Sequence, residues 1–166
     1  REIILRYMDT FDDLLTRENE FAHFTASAWL VNKDRTKVLM AYHNLYNSWA
    51  WVGGHADGDP DLLRVAIKEA KEETGLSDVK PVSEEIYSIE ILAVDAHEKK
   101  GQHVATHVHL NITYLLEADE SELTSIKADE NSAIDWFELE KVVEVCTEPE
   151  MKVVYRKLNE KLSDYC

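Results

Sequence analysis

Three glutamates, Glu69, Glu72 and Glu73, are the residues whose type and spacing point most directly to chemistry. They stand at i, i+3 and i+4, so a helix brings all three carboxylates to neighbouring positions on one face. Like charges at this spacing cost an isolated helix roughly 0.2–0.5 kcal/mol per pair. A hard cation held between them reverses the sign of that term. The bland alternative is a solvated acidic helix face.

The surrounding segment supplies what such a site needs to be held in place. Gly53-Gly54 reads as a tight turn closing the short strand Trp49–Val52. Asp59 reads as a helix N-cap with Pro60 at the first helical position. Leu63, Ala66, Ile67, Ala70 and Thr74 share a face suited to packing on a sheet, with the glutamates on the adjoining arc. Gly75 ends the helix. Four of the five glycines lie in this segment. A glycine, fourteen spacers and this acidic cluster recur by chance in roughly one chain in a few thousand of such acidic composition.

The remaining periodicity predicts a helix over 2–20, strands over 23–32 and 37–43, a polar loop over 44–48 and a strand over 84–96. A turn is expected at 98–101, a long strand over 103–117, an acidic loop over 118–131 and a last strand over 133–137. Thr147 with Glu150 reads as a capping box for a C-terminal helix striped by Met151, Val154, Tyr155, Leu158 and Leu162. Helices before, between and after the strands imply an α/β fold, a mixed β-sheet between helices.

The 166 residues suffice for one domain, and neither linker nor repeat divides them. A formal charge of −15 argues against a nucleic-acid polymer as partner. It leaves room for a small phosphorylated ligand bridged by a divalent cation. Most carboxylates outside the helix read as a solubilising surface. Cys146 and Cys166 form no metal-spacing motif, so a reduced, cytoplasmic setting is the expectation. Neither a secretory leader nor a membrane span is expected. The chain opens at Arg1 without a Met, so residues trimmed from upstream are expected.

The segment resembles the Nudix (MutT-like) box, G-x5-E-x7-R-E-U-x-E-E-x-G-U with U aliphatic. Gly54 matches the first glycine, Glu69 the glutamate after the arginine, Glu72 and Glu73 the paired acids, Gly75 the second glycine and Leu76 the final aliphatic. Pro60 replaces the early glutamate, between Asp59 and Asp61; Lys68 replaces the arginine; Ala70 replaces a larger aliphatic. Lys68 is expected to pair with Asp59 or Asp61 as a brace, without arginine's bidentate fork.

The resemblance implies a Nudix-type α/β/α sandwich over 1–166, with 1–20 as a helical extension. It implies hydrolysis of a diphosphate bond in a nucleoside diphosphate linked to another moiety, or in a similar small diphosphate. Mg²⁺ is the implied cofactor, with Mn²⁺ as substitute. Glu72, Glu73 and the Gly53 carbonyl are the implied ligands, and Glu69 is a ligand or the general base. Glu130, ahead of Trp136-Phe137, is the candidate fourth carboxylate, with Asp129 second. Gly54 is expected beside the substrate. The competing reading is a noncatalytic Nudix-like module that senses a nucleotide. An isopentenyl diphosphate isomerase branch is disfavoured because no cysteine lies near the turn.

Outside the box, His107 and His109 share a strand face with Asn111 and are candidates for contacting phosphate or metal. His103, His97 and His23 rank below them. Tyr42, Tyr46, Trp49 and Trp51 precede the box and could stack on a base. Trp51 suits the core better. Dimerisation through the N-terminal helix is compatible with the sequence.

Overall fold

The computed structural model describes residues 1–165; Cys166 lies outside the described residues. In chain order the elements are α1 (Glu2–Thr10), β1 (Ala22–Asn32), β2 (Lys37–His43), β3 (Ser48–Ala50), β4 (Val52–His55), α2 (Leu62–Thr74), β5 (Val79–Pro81), β6 (Ser88–Val94), β7 (His97–Lys99), β8 (Gln102–Val104), β9 (His107–Ala118), β10 (Asn131–Glu138), α3 (Leu139–Val145) and α4 (Pro149–Leu162). A short 3₁₀ turn, Ser163–Tyr165, follows.

The main sheet runs β10-β2-β1-β9-β5, with β3 on β2, β4 on β1 and β6 on β9. The central β1/β9 pair is parallel and the other pairs are antiparallel, so the sheet is mixed as expected. Alternation along β1 sends Ala26, Ala28 and Leu30 to one face and Trp29 and Val31 to the other. The first face packs on Val65, Ala66 and Ala70 of α2. The second packs on Val142 of α3 and on Met151, Tyr155, Leu158 and Leu162 of α4. Helices therefore cover both faces of the sheet.

Several expected boundaries move. The first helix stops at Thr10 instead of running to 20. Asp13 draws the Leu15 and Thr16 amides into a side-chain-capped turn, and the Leu14 carbonyl accepts from Phe24 N at 2.7 Å. Gly53-Gly54 lies inside β4 instead of closing a strand, and the break falls at Trp51. There the backbone N–H donates to the buried Tyr155 hydroxyl at 3.1 Å. The 98–101 turn sits within an added hairpin, β7/β8, with Lys100 and Gly101 at positive φ. The N-cap of α4 is Glu148, with Pro149 following; Thr147 instead bonds back to Ser48 and Asn47. No helix is long and apolar enough to cross a membrane among the described residues.

Candidate active site

The central helix begins two residues later than its sequence suggests. Asp61 is the N-cap, its carboxylate accepting from Arg64 N at 3.1 Å, while Asp59 caps Asp61 N. Gly75 terminates the helix with φ 74°, and its N–H donates to the Lys71 carbonyl. The buried face is Val65, Ala66, Ala70, Glu73 and Thr74, with Leu63 and Ile67 only partly covered. The sheet thus covers an arc rotated towards the glutamates, which pulls Glu73 into the interior.

The three carboxylates are graded in exposure. Glu73 is buried, the Glu69 side chain is 14% exposed and that of Glu72 is 44% exposed. Burial, then the nearby Glu130 and Glu69 charges, push the Glu73 carboxyl up to about 9; the Gly53 N–H donated to it opposes this. Burial also raises Glu69, against the pull of Lys68. Gly54 lies directly over Glu69, where a Cβ would overlap the carboxyl group.

Lys68 does not pair with Asp59 or Asp61. Its Nζ lies 3.6 Å from Glu69 and 3.3 Å from Glu72. The brace comes from Arg64, one helical turn earlier, whose guanidinium grips Asp59 at 2.9 and 2.6 Å. Sequence reasoning missed Arg64, although its i+5 spacing from Asp59 and i+3 spacing from Asp61 were visible.

Glu130 joins the cluster from the 119–130 loop. It perturbs Glu73, and its own carboxylate pairs with Lys127 at 3.0 Å. The loop is tied to the end of α2 by Ser125 N to the Thr74 carbonyl, 2.8 Å, and by Asn131 Nδ2 to the Glu73 carbonyl, 3.4 Å. Arg17 also escaped notice. It forms a bidentate pair with Asp57 at 2.9 and 2.7 Å and feels the Glu69 and Glu130 charges. Only the fold brings it near, because the 11–20 segment docks on the glycine loop through Gly58 N and the Leu15 carbonyl, 2.9 Å.

The other candidates divide. Tyr42 and Trp49 are cross-strand partners with ring centroids 5.6 Å apart, and Trp49 packs on Phe137 at 4.8 Å. Trp49 and Trp51 both lie against the α3/α4 core. The exposed Tyr46 ring lies tilted against His43 with centroids 4.7 Å apart, and the Asn44 N–H beside His43 donates to the Glu130 carbonyl. His107 and His109 meet Nε2 to Nε2 at 3.1 Å, joined by His23 and His55. Their strand face is the one opposite α2. Asn111 continues it as a buried polar network, accepting from Thr25 and Ser27 and donating to Glu90.

The donor set suits a hard divalent cation. The acids are clustered, two of them are raised by burial, and the charges facing them are the Lys68 and Lys127 ammonium groups and the Arg17 guanidinium. This combination of glycine strand, capped helix and buried acids is that of a Nudix domain. The NUDIX domain model matches residues 22–158, and the chain belongs to the Nudix family of pyrophosphohydrolases. Residues 1–21 lie outside the matched region.

Solved structures agree on the fold. A Caenorhabditis elegans Ap4A hydrolase is 19% identical, with a TM-score of 0.59 over 85% of this chain and 98% of that one. A NUDIX-family hydrolase from Clostridium perfringens is 22% identical, with a TM-score of 0.59 over 84% and 97%. The Escherichia coli dihydroneopterin triphosphate pyrophosphohydrolase is 13% identical, with a TM-score of 0.59 over 81% and 92%. Comparison with curated protein sequences gives no match.

Proposed function

We propose that this chain hydrolyses a phosphoanhydride bond in a small nucleotide-derived diphosphate, with Mg²⁺ as cofactor and Mn²⁺ as a substitute. The observation that carries the reading is the buried Glu73, raised to about 9 among neighbouring acids and facing the Gly53 amide. Keeping a carboxyl in that setting costs stability unless a cation or a proton occupies the cluster.

Glu72 and Glu73 would hold the cation, with Glu130 as a further oxygen donor. A strand residue's N–H and C=O leave the same edge of the strand. The Gly53 N–H reaches Glu73, so the Gly53 carbonyl shares that edge and would complete the ligand set. Glu69, mostly buried and raised, would act as ligand or take the proton of the attacking water. Gly54 keeps the backbone close enough for Glu69 to sit beneath it. Bound there, Mg²⁺ would neutralise pyrophosphate charge and acidify water for in-line attack. Arg17 would meet the substrate's anionic end, and the Tyr46–His43 pair would offer a stacking platform at the rim.

Ap4A and dihydroneopterin triphosphate, named for two structural neighbours, belong in the substrate panel. ADP-ribose-type sugars and oxidised nucleoside triphosphates belong there too. The test compares the parent with Glu73→Gln across that panel in Mg²⁺. Turnover in the parent and a loss of at least about a hundredfold in the variant support the reading. Equal turnover by both would reject it.

A further inference from the structure

We propose that His23, His55 and His109 form a second metal site, specific for a zinc-type transition ion and separate from the carboxylate cluster. One ligand nitrogen from each lies within 4.8 Å of the other two. The three come from β1, β4 and β9, so the site exists only in the folded sheet. Paired positions put them there: His23 is opposite His109 in the parallel β1/β9 register, and Thr25 is opposite His55.

The tautomer of His23 is set for coordination. His23 Nδ1 lies 2.9 Å from the Asn19 carbonyl, which can only accept, so Nδ1 carries the proton. That leaves the lone pair on Nε2. His23 is 4% exposed, and its Nε2 is buried without a hydrogen-bond partner. A carbonyl that fixes one ring nitrogen while the other stands free and buried is the arrangement found around metal-bound histidine. His107 is held the same way at Nδ1, 2.7 Å from the Ala105 carbonyl, but its Nε2 is engaged, accepting from His109 Nε2 at 3.1 Å, so metal binding at His109 uses its other ring nitrogen or displaces that proton.

Imidazole nitrogens select zinc, copper, nickel or iron, whereas Mg²⁺ prefers oxygen. Zinc–nitrogen bonds of about 2.0–2.1 Å place tetrahedral ligands roughly 3.3 Å apart, so each ring moves inward by less than about 1 Å. Gly54 meets Glu69 on the α2 side, whereas His55, the next residue, turns to the other face of the sheet. A metal here would clasp the strand bearing Gly53-Gly54 to β1 and β9.

The test is titration of the full chain with Co²⁺ and Zn²⁺ in excess Mg²⁺. One equivalent of Co²⁺ should give the visible absorption of a nitrogen-ligated tetrahedral ion, displaced by Zn²⁺. Affinity for Zn²⁺ should fall at least tenfold in His55→Gln and in His109→Asn, and stay within twofold in Glu72→Gln. Circular dichroism checks that the variants fold. In the unmodified protein, long-range ¹H–¹⁵N spectra should show the ring nitrogens of three or four histidines shifting together at one equivalent of Zn²⁺. Absence of the Co²⁺ band, unshifted histidine nitrogens, or Zn²⁺ affinity lost in Glu72→Gln but kept in the histidine variants would overturn the proposal.

Discussion

Gly54 and Glu69 occupy one another's space: the backbone of one is bare where the carboxyl of the other lies. A methyl group at position 54 must push Glu69 aside. Gly54→Ala should therefore lower kcat by about a hundredfold, the scale expected for displacing a catalytic group by about 1 Å. Steady-state kinetics on the best substrate of the panel, with thermal unfolding to confirm folding, checks this. Unchanged kcat would show that Glu69 is not needed where it stands.

Glu73 sets stability against function. Its carboxyl is raised to about 9 in the folded chain, above its unfolded value. The folded state therefore binds the extra proton, and the stability tied to it is full below about pH 4.5 and lost as pH rises towards 9. At pH 8 without metal, Glu73→Gln should stabilise the chain, by up to about 5 kcal/mol if the whole interval from about 4.5 to 8 is expressed. At about 2–4 °C per kcal/mol for a chain of this size, the Tm should rise by up to about 10–20 °C. The gain should vanish near pH 4. Melting curves of both proteins in chelator at the two pH values decide it.

The histidine cluster has the opposite sign. Burial depresses His55 to about 3 and His109 to about 2, so the unfolded chain takes up protons first as pH falls. Their contribution is full above about pH 6.5 and lost between there and about pH 3. His109→Asn should flatten the acid limb of the Tm–pH curve in that window. An unaltered slope would mean that the ring is not held neutral by the fold.

Lys68 places an ammonium where a cation belongs, 3.3 Å from Glu72 and 3.6 Å from Glu69. Lys68→Met should tighten Mg²⁺ binding by about two- to fivefold, the range expected when one exposed ion pair is removed. Calorimetric titration measures it. Weaker binding would instead make Lys68 a support of the site.

The Trp51 amide and the Tyr155 hydroxyl join the break between β3 and β4 to helix α4. Tyr155 is fully buried, so Tyr155→Phe leaves that N–H without its partner and should cost about 1–3 kcal/mol. Denaturant unfolding reads this directly, and an unchanged midpoint would contradict it.

Much of this was legible in the chain, because local rules wrote it. Helix period, caps and Gly75 placed the central helix to within a few residues. Period-two alternation separated Val108, Leu110, Ile112 and Tyr114 from His107, His109, Asn111 and Thr113 along β9, although both faces of that strand are largely buried. What escaped was partly a competition between neighbouring residues and partly non-local. The pairing of Arg64 with Asp59 pre-empted the brace expected of Lys68, and Asp61 took the cap expected of Asp59. Residues 11–20 carry helical spacing, yet tertiary bonds from Leu14 and Leu15 to Phe24 and Gly58 pull them into a loop. The approach of His23 and His55 to His109 depends on strand order, which periodicity along one segment does not encode.

The most direct measurement is Mn²⁺ bound per chain, followed by electron paramagnetic resonance in the parent and in a Glu72→Gln/Glu73→Gln double variant. If these carboxylates are the catalytic metal site, the parent binds Mn²⁺ saturably, Mg²⁺ displaces it, and the double variant loses at least tenfold in affinity together with hydrolysis. Equal Mn²⁺ binding by the two proteins would contradict that assignment.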